Sequence, residues 1–261
     1  MVGLAVILFN ILTAVLAPWI ATQDPLKINI ANRAAPPSHE FLFGTDDFGR
    51  DIFSRVVYGS QISLSISLLS VLAATVLGVI IGAAAGYYGG WVDNILMRVM
   101  DAIMSFPAIL LAIAIMAVRG GSLYNVIIAL GFVYIPRFAR IVRGSVLSLK
   151  EKEFVEASLA MGNSDLFIIS RHILPNCLAP LIVQATISLA YAILAEAALS
   201  FLGLGAPPPA PSWGNILSDA RNFMLDAPWM TVFPGFAITL AVLGYNLFGD
   251  ALRDVLDPRL K

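Results

Sequence analysis

Residues 150–162 carry a pattern of charged and apolar side chains that predicts a short amphipathic helix. Four side chains repeat at intervals of three and four positions and so share one helical face: Phe154, Ala157, Ser158 and Met161. Glu153 and Glu156 border this face, and Gly162 can end the helix in a left-handed conformation. The segment is too short and too polar to cross a bilayer. Either another protein or the rest of this chain must cover the apolar face, and the pattern favours neither.

A second short helix is predicted directly after the first. Polar residues 163–165 can cap it, residues 166–172 form it, and Pro175 ends it, which gives Pro175 a structural role. The two helices together predict a helix-turn-helix.

The sequence contains no pattern typical of an enzyme or of a metal site. Cys177 is the single cysteine, and His39 and His172 are far apart, so little is available to build a metal centre. The phosphate-binding motif G-x-x-x-x-G-K-[ST] is absent, and no lysine directly follows a glycine. We therefore expect this chain to hydrolyse no ATP and to bind no cofactor or metal of its own.

The composition indicates a protein that is embedded in lipid. Of 261 residues, 59% are hydrophobic and 13% are charged, whereas soluble domains carry about 25% charged residues. A water-soluble core cannot bury that much apolar surface. The formal net charge of -1 gives no reason to expect nucleic acid as a partner.

Apolar runs of the length needed to cross a bilayer recur along the chain. A membrane-spanning helix needs about 20 mostly apolar residues. The runs that qualify or nearly do so are 2–20, 62–87, 102–118, 123–136, 178–202 and 229–248. We therefore predict an all-α fold in which residues 1–261 form one transmembrane domain, a polytopic bundle of about six helices.

Lysine and arginine gather between the fourth and fifth predicted spans, and cytoplasmic loops retain an excess of these residues. The basic residues of this interval are Arg137, Arg140, Arg143, Lys150, Lys152 and Arg171. We therefore expect residues 137–177 to form a cytoplasmic loop, with both termini and the tail 249–261 on the same side. Residues 21–59 and 204–228 then become outer loops. Apolar periodicity in residues 215–225 predicts a short helix in the membrane interface.

Three charged residues are candidates for a role within or beside the spans. Glu196 lies deep in the fifth span and could hold the ammonium end of a substrate. The alternative is a carboxyl that forms hydrogen bonds where two helices meet. Arg98 and Asp101 are three residues apart, so we expect them to pair on one helix as a structural clamp.

One pattern is specific enough to suggest a family. Glu156-Ala157-Ser158 is followed by Gly162 and then by Leu174-Pro175. This order resembles the EAA loop of ABC importer permeases, E-A-A-x(3)-G-x(9)-I-x-L-P. Ser158 replaces the third-position alanine and His172 replaces the isoleucine, although other isoleucines nearby can still anchor the loop.

The resemblance continues in order along most of the chain. The other matching segments are 43–51, 86–90, 199–205, 213–214, 246–254 and 257–258. Together they resemble the second permease of the dipeptide, oligopeptide and nickel importers. This resemblance implies a type I ABC importer permease in a bacterial or archaeal cytoplasmic membrane. That family usually carries a basic stretch before its first span, so we expect that this chain starts late.

The same resemblance implies a function and a set of partners. The chain would form half of the translocation pathway for di- or oligopeptides, with nickel or glutathione as alternative cargo. Its partners would be a homologous second permease, two ATP-binding subunits that carry ATP-Mg, an extracytoplasmic substrate-binding protein and membrane lipid. The residues that couple it to the ATPase would be Glu153, Phe154, Glu156, Ala157, Ser158, Met161 and Gly162.

Two other classes of protein compete with this interpretation. A secondary transporter driven by an ion gradient usually places several ionisable residues near the bilayer midplane, and here Glu196 is the main candidate. A membrane-embedded hydrolase needs a paired nucleophile and base, or metal ligands, within its spans. None of the six predicted spans contains a convincing pair.

Overall fold

A computed structural model of the chain describes residues 1–256, and helices account for most of them. The α-helices are α1 (Val2–Val15), α2 (Ala17–Ile20), α3 (Ile52–Tyr88), α4 (Gly90–Met104), α5 (Ala108–Arg119), α6 (Leu123–Leu149), α7 (Glu153–Ala160), α8 (Asp165–Ile168), α9 (Leu178–Phe201), α10 (Trp213–Ala220) and α11 (Trp229–Leu256). A π-helical turn and a 3-10 turn join α8 to α9 into one helix, Asp165–Phe201. The predicted all-α membrane fold is confirmed.

Within residues 1–256, four helices are long and apolar enough to cross a membrane, namely α3, α6, Asp165–Phe201 and α11. The pair α4 and α5 adds a fifth crossing if the two count together, with a bend of 88° between them. Helix α1 is apolar but has only 14 residues. The described residues therefore contain fewer full-length spans than the six that we predicted.

Prolines explain why two predicted spans are interrupted. Pro107 directly precedes α5, and α4 ends three residues before it. Proline fixes its own φ and disfavours the helical conformation in the residue before it, so no helix continues from 102 to 118. Pro18 lies in the first turn of α2, and the predicted first span, 2–20, divides at Leu16.

Helix α3 begins ten residues before the predicted second span. Asp51 caps it, because its carboxylate accepts a hydrogen bond from the backbone N–H of Ser54 at 2.9 Å. The first long loop therefore covers residues 21–51 rather than 21–59. The apolar pattern begins at Ile62 and therefore did not reveal the first ten residues of α3.

Two prolines lie within helices: Pro136, the last residue of the predicted fourth span, and Pro175, which we expected to end a helix. Pro136 lies inside α6, which packs along α3 and continues to Leu149. Pro175 lies in the first turn of the 3-10 segment Leu174–Cys177, where its missing N–H is not required. The predicted loop 137–177 is therefore helical except for the short turns on either side of α7.

Small residues allow α3 and α6 to approach each other closely. A Cβ added at Gly78 would lie 2.4 Å from the Cβ of Phe138, and one added at Gly82 would lie 2.4 Å from the carbonyl oxygen of Ala139. Gly86, a further four residues along α3, faces Val146 in the same way. Glycines repeated every fourth residue are typical of membrane helices that pack backbone to backbone. This contact forms the centre of the larger apolar core.

Helix α10 packs on the bundle between α9 and α11. It is shorter than the predicted helix 215–225, and Trp213, Ile216 and Ala220 are buried. The Trp213 indole N–H donates to the carbonyl oxygen of Val56 at 2.9 Å. Helix α11 extends to Leu256, so residues 249–256 of the predicted tail are helical. The remainder, 257–261, lies outside the described residues, as do its basic residues.

Candidate functional site

Helix α7 forms the predicted amphipathic segment with nearly the predicted bounds. Lys152 lies before its first turn in an extended conformation, and Met161 closes its last turn. Gly162 then adopts φ +77°, as predicted for a left-handed helix end. The Asn163 side-chain amide donates to the carbonyl oxygen of Ser158 at 3.2 Å and to its hydroxyl at 3.0 Å. These bonds hold the turn between α7 and α8 in one conformation.

The apolar residues of α7 divide between two faces. Val155 and Ser158 are each 1% exposed, and they attach α7 to the bundle. Phe154, Ala157 and Met161 are exposed, and the exposed fraction of Met161 is 74%. Ser158 therefore lies at the buried edge of the predicted face, whereas its other three members are exposed. A serine fits the close contact because it is small and its hydroxyl accepts from Asn163.

Exposed apolar side chains extend from α7 onto α8. We call this surface the α7 patch, and its members are Phe154, Leu159, Met161, Leu166 and Phe167. The rings of Phe154 and Phe167 both lie near His172, with centroids 6.3 Å and 5.6 Å from the imidazole. Contiguous exposed apolar surface marks a site of interaction with a protein or a membrane.

The patch rests on a rigid base. Ile168 and Ile173 are completely buried and belong to the same apolar cluster as Val155. At the end of α3, the Tyr87 hydroxyl donates to Asp165 at 2.9 Å. The presence of His172 in place of isoleucine therefore leaves the inner anchoring intact, because neighbouring isoleucines supply it.

The predicted pair of Arg98 and Asp101 does not form within the described residues. Arg98 is exposed on α4, while Asp101 accepts from Arg140 on α6. A second ion pair joins the same helices, with 2.6 Å between Arg143 Nη2 and Asp93 Oδ2. The acidic residues of α4 face α6 because α4 packs across it after the turn at Gly89. The clamp thus joins two helices rather than two turns of one helix.

Glu196 lies in α9 and is completely buried. The Ser200 hydroxyl donates to its Oε1 at 2.7 Å, and the hydroxyls of Ser63 and Ser212 lie close to the same carboxyl. Its Oε2 has no hydrogen-bond partner among the described residues. This position, at the junction of α3, α9 and α10, favours hydrogen bonding at a helix contact over ammonium binding.

The sequence reasoning missed a cluster of ion pairs beside the first turn of α3. Arg50 and Arg55 both donate to Asp219 Oδ2, at 3.2 Å and 3.0 Å, and so connect the first loop and α3 to α10. Asp46 contacts the same two arginines. The available signal was an arginine, Arg55, adjacent to an apolar run and preceded by several acids.

A second missed feature is the environment of Arg137, which we had placed in a loop. Its guanidinium lies 5.5 Å from the ring of Tyr134 and 5.6 Å from the ring of Tyr191. All three side chains line a cavity of about 260 Å³ between α5, α6 and α9. Aromatic residues three positions before a basic residue were the only signal in the sequence.

The known proteins that this chain resembles are membrane components of transport systems, and the matches extend along the whole chain. Residues 74–261 match the family described as binding-protein-dependent transport system inner membrane component, and residues 1–37 match the N-terminal transmembrane domain of oligopeptide transport permease C. A putative peptide transport system permease protein of Brucella suis is 57% identical and covers 100% of this chain and 88% of its own length. A dipeptide transport system permease protein of Alkalihalophilus pseudofirmus is 52% identical, covering 100% of this chain and 86% of its own.

A solved structure supports the same fold. The MetNI methionine ABC transporter in an inward-facing conformation superposes with a TM-score of 0.63 and 21% identity, over 78% of this chain and 96% of that one. The similarity at this level of identity concerns the fold. Because the family match covers more than half of the residues, we conclude that the chain belongs to the family of binding-protein-dependent transport system inner membrane components.

Proposed function

We propose that this chain is one of two permease subunits of an ATP-driven importer of di- and oligopeptides. The names of its relatives support peptide cargo, and glutathione or a nickel complex remains the alternative within the same class. The homologous second permease would supply the other half of the pathway. Two ATP-binding subunits that carry ATP-Mg and an extracytoplasmic substrate-binding protein would complete the complex.

The single observation that carries this proposal is the α7 patch. Its side chains are apolar and exposed, yet they stand on a helix whose other face is buried and whose following turn is held by Asn163. Such a rigid surface fits a groove on an ATPase subunit. Its rigidity matters because a flexible connection would absorb the movement of the ATPase before that movement reached α6 and α9.

The free energy involved sets a requirement on this contact. A shift from 1:99 to 99:1 between inward- and outward-open states needs about 5.5 kcal/mol of differential affinity. ATP supplies this only if the ATPase binds one state of the permease more tightly than the other. The α7 patch would transmit the difference.

In this arrangement the patch and both chain termini face the cytoplasm, and the α10 side faces outward.

The test is ATP-driven uptake of a tripeptide by the complete complex in proteoliposomes, with and without an ionophore. We expect uptake to require ATP and the binding protein and to be insensitive to the ionophore. Uptake that the ionophore abolishes would instead indicate a secondary transporter. Uptake of glutathione or a nickel complex, without uptake of the tripeptide, would identify that compound as the cargo instead.

The role of the patch needs its own variant and control. Met161→Asp places a charge at the centre of the patch, and we expect it to lower both co-purification of the ATPase subunits and transport. Leu225→Asp, at an exposed apolar residue between α10 and α11, is the matched control and should retain the ATPase. Equal retention of the ATPase by both variants would rule out this role.

A further inference from the structure

Arg137 stands out among the arginines of α6. Arg140 and Arg143 pair with Asp101 and Asp93 on α4. Within residues 1–256, Arg137 forms neither an ion pair nor a hydrogen bond, and its guanidinium contacts the rings of two tyrosines instead. Cation–π contacts hold a guanidinium in place without satisfying its N–H groups. Its donors are therefore available to another molecule.

Three helices build a cavity around this guanidinium. The cavity measures about 260 Å³, and its lining includes Ala108, Ile109, Tyr134, Arg137, Tyr191 and Leu194. The first turn of α5 follows the break at Pro107, and no side chain caps it. The unpaired N–H groups of a helix start carry partial positive charge. Both Arg137 and the start of α5 thus favour a negatively charged group in the cavity.

The cavity lies well inside the bilayer. A helix rises about 1.5 Å per residue, so Ala108 is about 17 Å from Arg119 and Arg137 is about 21 Å from Leu123 along their helices. Those two helix ends adjoin each other and also adjoin the end of α9, because a Cβ on Gly121 would lie 3.5 Å from the carbonyl oxygen of Gly205. The hydrocarbon layer is about 30 Å thick. Helices α5 and α6 therefore both place the cavity within the hydrocarbon layer, about 17–21 Å from the ends that adjoin each other and so somewhat beyond the midplane.

A charge at this depth indicates which environment the cavity opens to. Ionisable side chains within the membrane face a protein interior or a water-filled passage, because contact with lipid is unfavourable. Tyr191, at the rim, is 52% exposed in this chain alone, and Leu194 beside it is also exposed. We therefore expect the rim to face a polar passage that a second permease subunit would close on its other side.

We propose that Arg137, held between Tyr134 and Tyr191 beside the start of α5, binds the C-terminal carboxylate of a peptide as it crosses the membrane. The forked donors of a guanidinium match the two oxygens of a carboxylate. The cavity holds a carboxylate and a small side chain rather than a whole oligopeptide. This inference rests on the proposed function and adds a chemical requirement on the cargo.

The experiment measures binding to the complete importer in nanodiscs, in the absence of the external binding protein. The probes are trialanine and trialanine amide, which differ only in the terminal carboxylate. We expect the wild-type complex to bind the free acid about tenfold more tightly than the amide. Arg137→Gln should abolish this preference, and Arg137→Lys should retain part of it.

Arg140→Gln is the matched control, because Arg140 lies on the same helix, is half exposed and pairs outside the cavity. It should keep the preference for the free acid. If Arg137→Gln does not assemble, Tyr191→Ala removes one wall of the cavity at an exposed position and should reduce the preference. Equal binding of acid and amide by the wild type, no binding of either, or an unchanged preference in Arg137→Gln and Tyr191→Ala would overturn the proposal.

The two proposals fail in different ways. If the wild-type complex shows no ATP-driven uptake of trialanine, the peptide cargo of the proposed function is wrong. If uptake is normal but the acid and the amide bind equally, only the carboxylate site is wrong.

Discussion

Asp46 and Arg55 face each other at the start of α3, with 3.5 Å between Asp46 Oδ2 and Arg55 Nη1 and each side chain only 2% exposed. Asp46 also accepts hydrogen bonds from the backbone N–H groups of Phe48 and Arg50 at 2.9 Å. Buried charges are tolerated when they are paired and hydrogen-bonded. This contact therefore fixes the first long loop against the helix that follows it.

Asp46→Asn should destabilise the protein by about 3 kcal/mol, because it removes a buried negative charge that both Arg50 and Arg55 contact and leaves Asp219 as the one close carboxylate of Arg55 among the described residues. Thermal unfolding in detergent, followed by tryptophan fluorescence, measures the effect. Asp47→Asn is the control, since Asp47 is adjacent in sequence but contacts Arg50 only at 3.8 Å. A loss of similar size in both variants would mean that the cluster does not depend on the Asp46–Arg55 contact.

The carboxyl of Asp47 should make the protein less stable as the pH rises. Burial, followed by the nearby charges of Asp46 and Asp219, raises the pKa of Asp47 above its usual value. A carboxyl whose pKa is raised on folding contributes stability at low pH, and this contribution is lost as the pH rises through the folded-state value. Asp47→Asn should remove that part of the pH dependence without lowering stability at neutral pH. A drop in stability at pH 7 would contradict this prediction.

Gly82→Ala should destabilise the bundle by about 1–3 kcal/mol, because the added methyl group would lie 2.4 Å from the carbonyl oxygen of Ala139. Gly144→Ala, on α6, provides the control. An added Cβ there meets nothing within 4 Å, and alanine favours the helix more than glycine does. We therefore expect Gly144→Ala to be neutral or slightly stabilising in the same unfolding assay.

Hydropathy was sufficient to predict the membrane fold and the amphipathic α7, because both depend on regular spacing along the chain. The sequence did not reveal which prolines interrupt a helix. Pro107 separates two helices by a right-angle bend, whereas Pro136 lies inside one. The difference comes from packing: α6 is held along its length by α3, which a single sequence does not reveal.

The partners of charged residues were also hidden from the sequence. Spacing paired Asp101 with Arg98 on the same helix, but the rotation of α4 turns Asp101 toward Arg140. The environment of Arg137 depends in the same way on a residue of α9, 54 positions along the chain, that completes its aromatic contacts. Contacts between helices depend on their crossing and rotation, which periodicity does not determine.

The two ion pairs between α4 and α6 should differ in strength. Asp93→Asn should lower stability by about 1 kcal/mol, because Arg143 binds it through two nitrogens and both groups are partly buried. Asp101→Asn should change stability by less than about 0.5 kcal/mol, since that pair with Arg140 is well exposed. A double-mutant cycle for each pair measures these energies, and equal coupling would contradict the prediction.

Gly162→Val should reduce coupling between the ATPase and transport. Valine is strained at φ +77°, so the turn after α7 must change conformation and the α7 patch with it. Gly162→Asn is the control, because asparagine adopts the left-handed region more readily. We expect binding-protein-stimulated ATPase activity to fall several-fold in the valine variant and to remain near wild type in the asparagine variant.

Glu156→Lys, on the exposed side of α7, should lower the same activity while assembly persists.

Glu196→Gln separates the two roles considered for this carboxyl. The glutamine side chain has nearly the same shape and can still accept from Ser200, so we expect normal folding and normal uptake of peptides with free or acetylated N-termini. Glu196→Ala should destabilise the protein by about 2 kcal/mol, because it leaves a cavity and an unpaired buried hydroxyl. Uptake of both peptides by proteoliposomes gives the comparison. A selective loss of the free-amine peptide in Glu196→Gln would instead assign Glu196 to the ammonium group, since the substitution removes the acidic group and keeps the shape of the side chain.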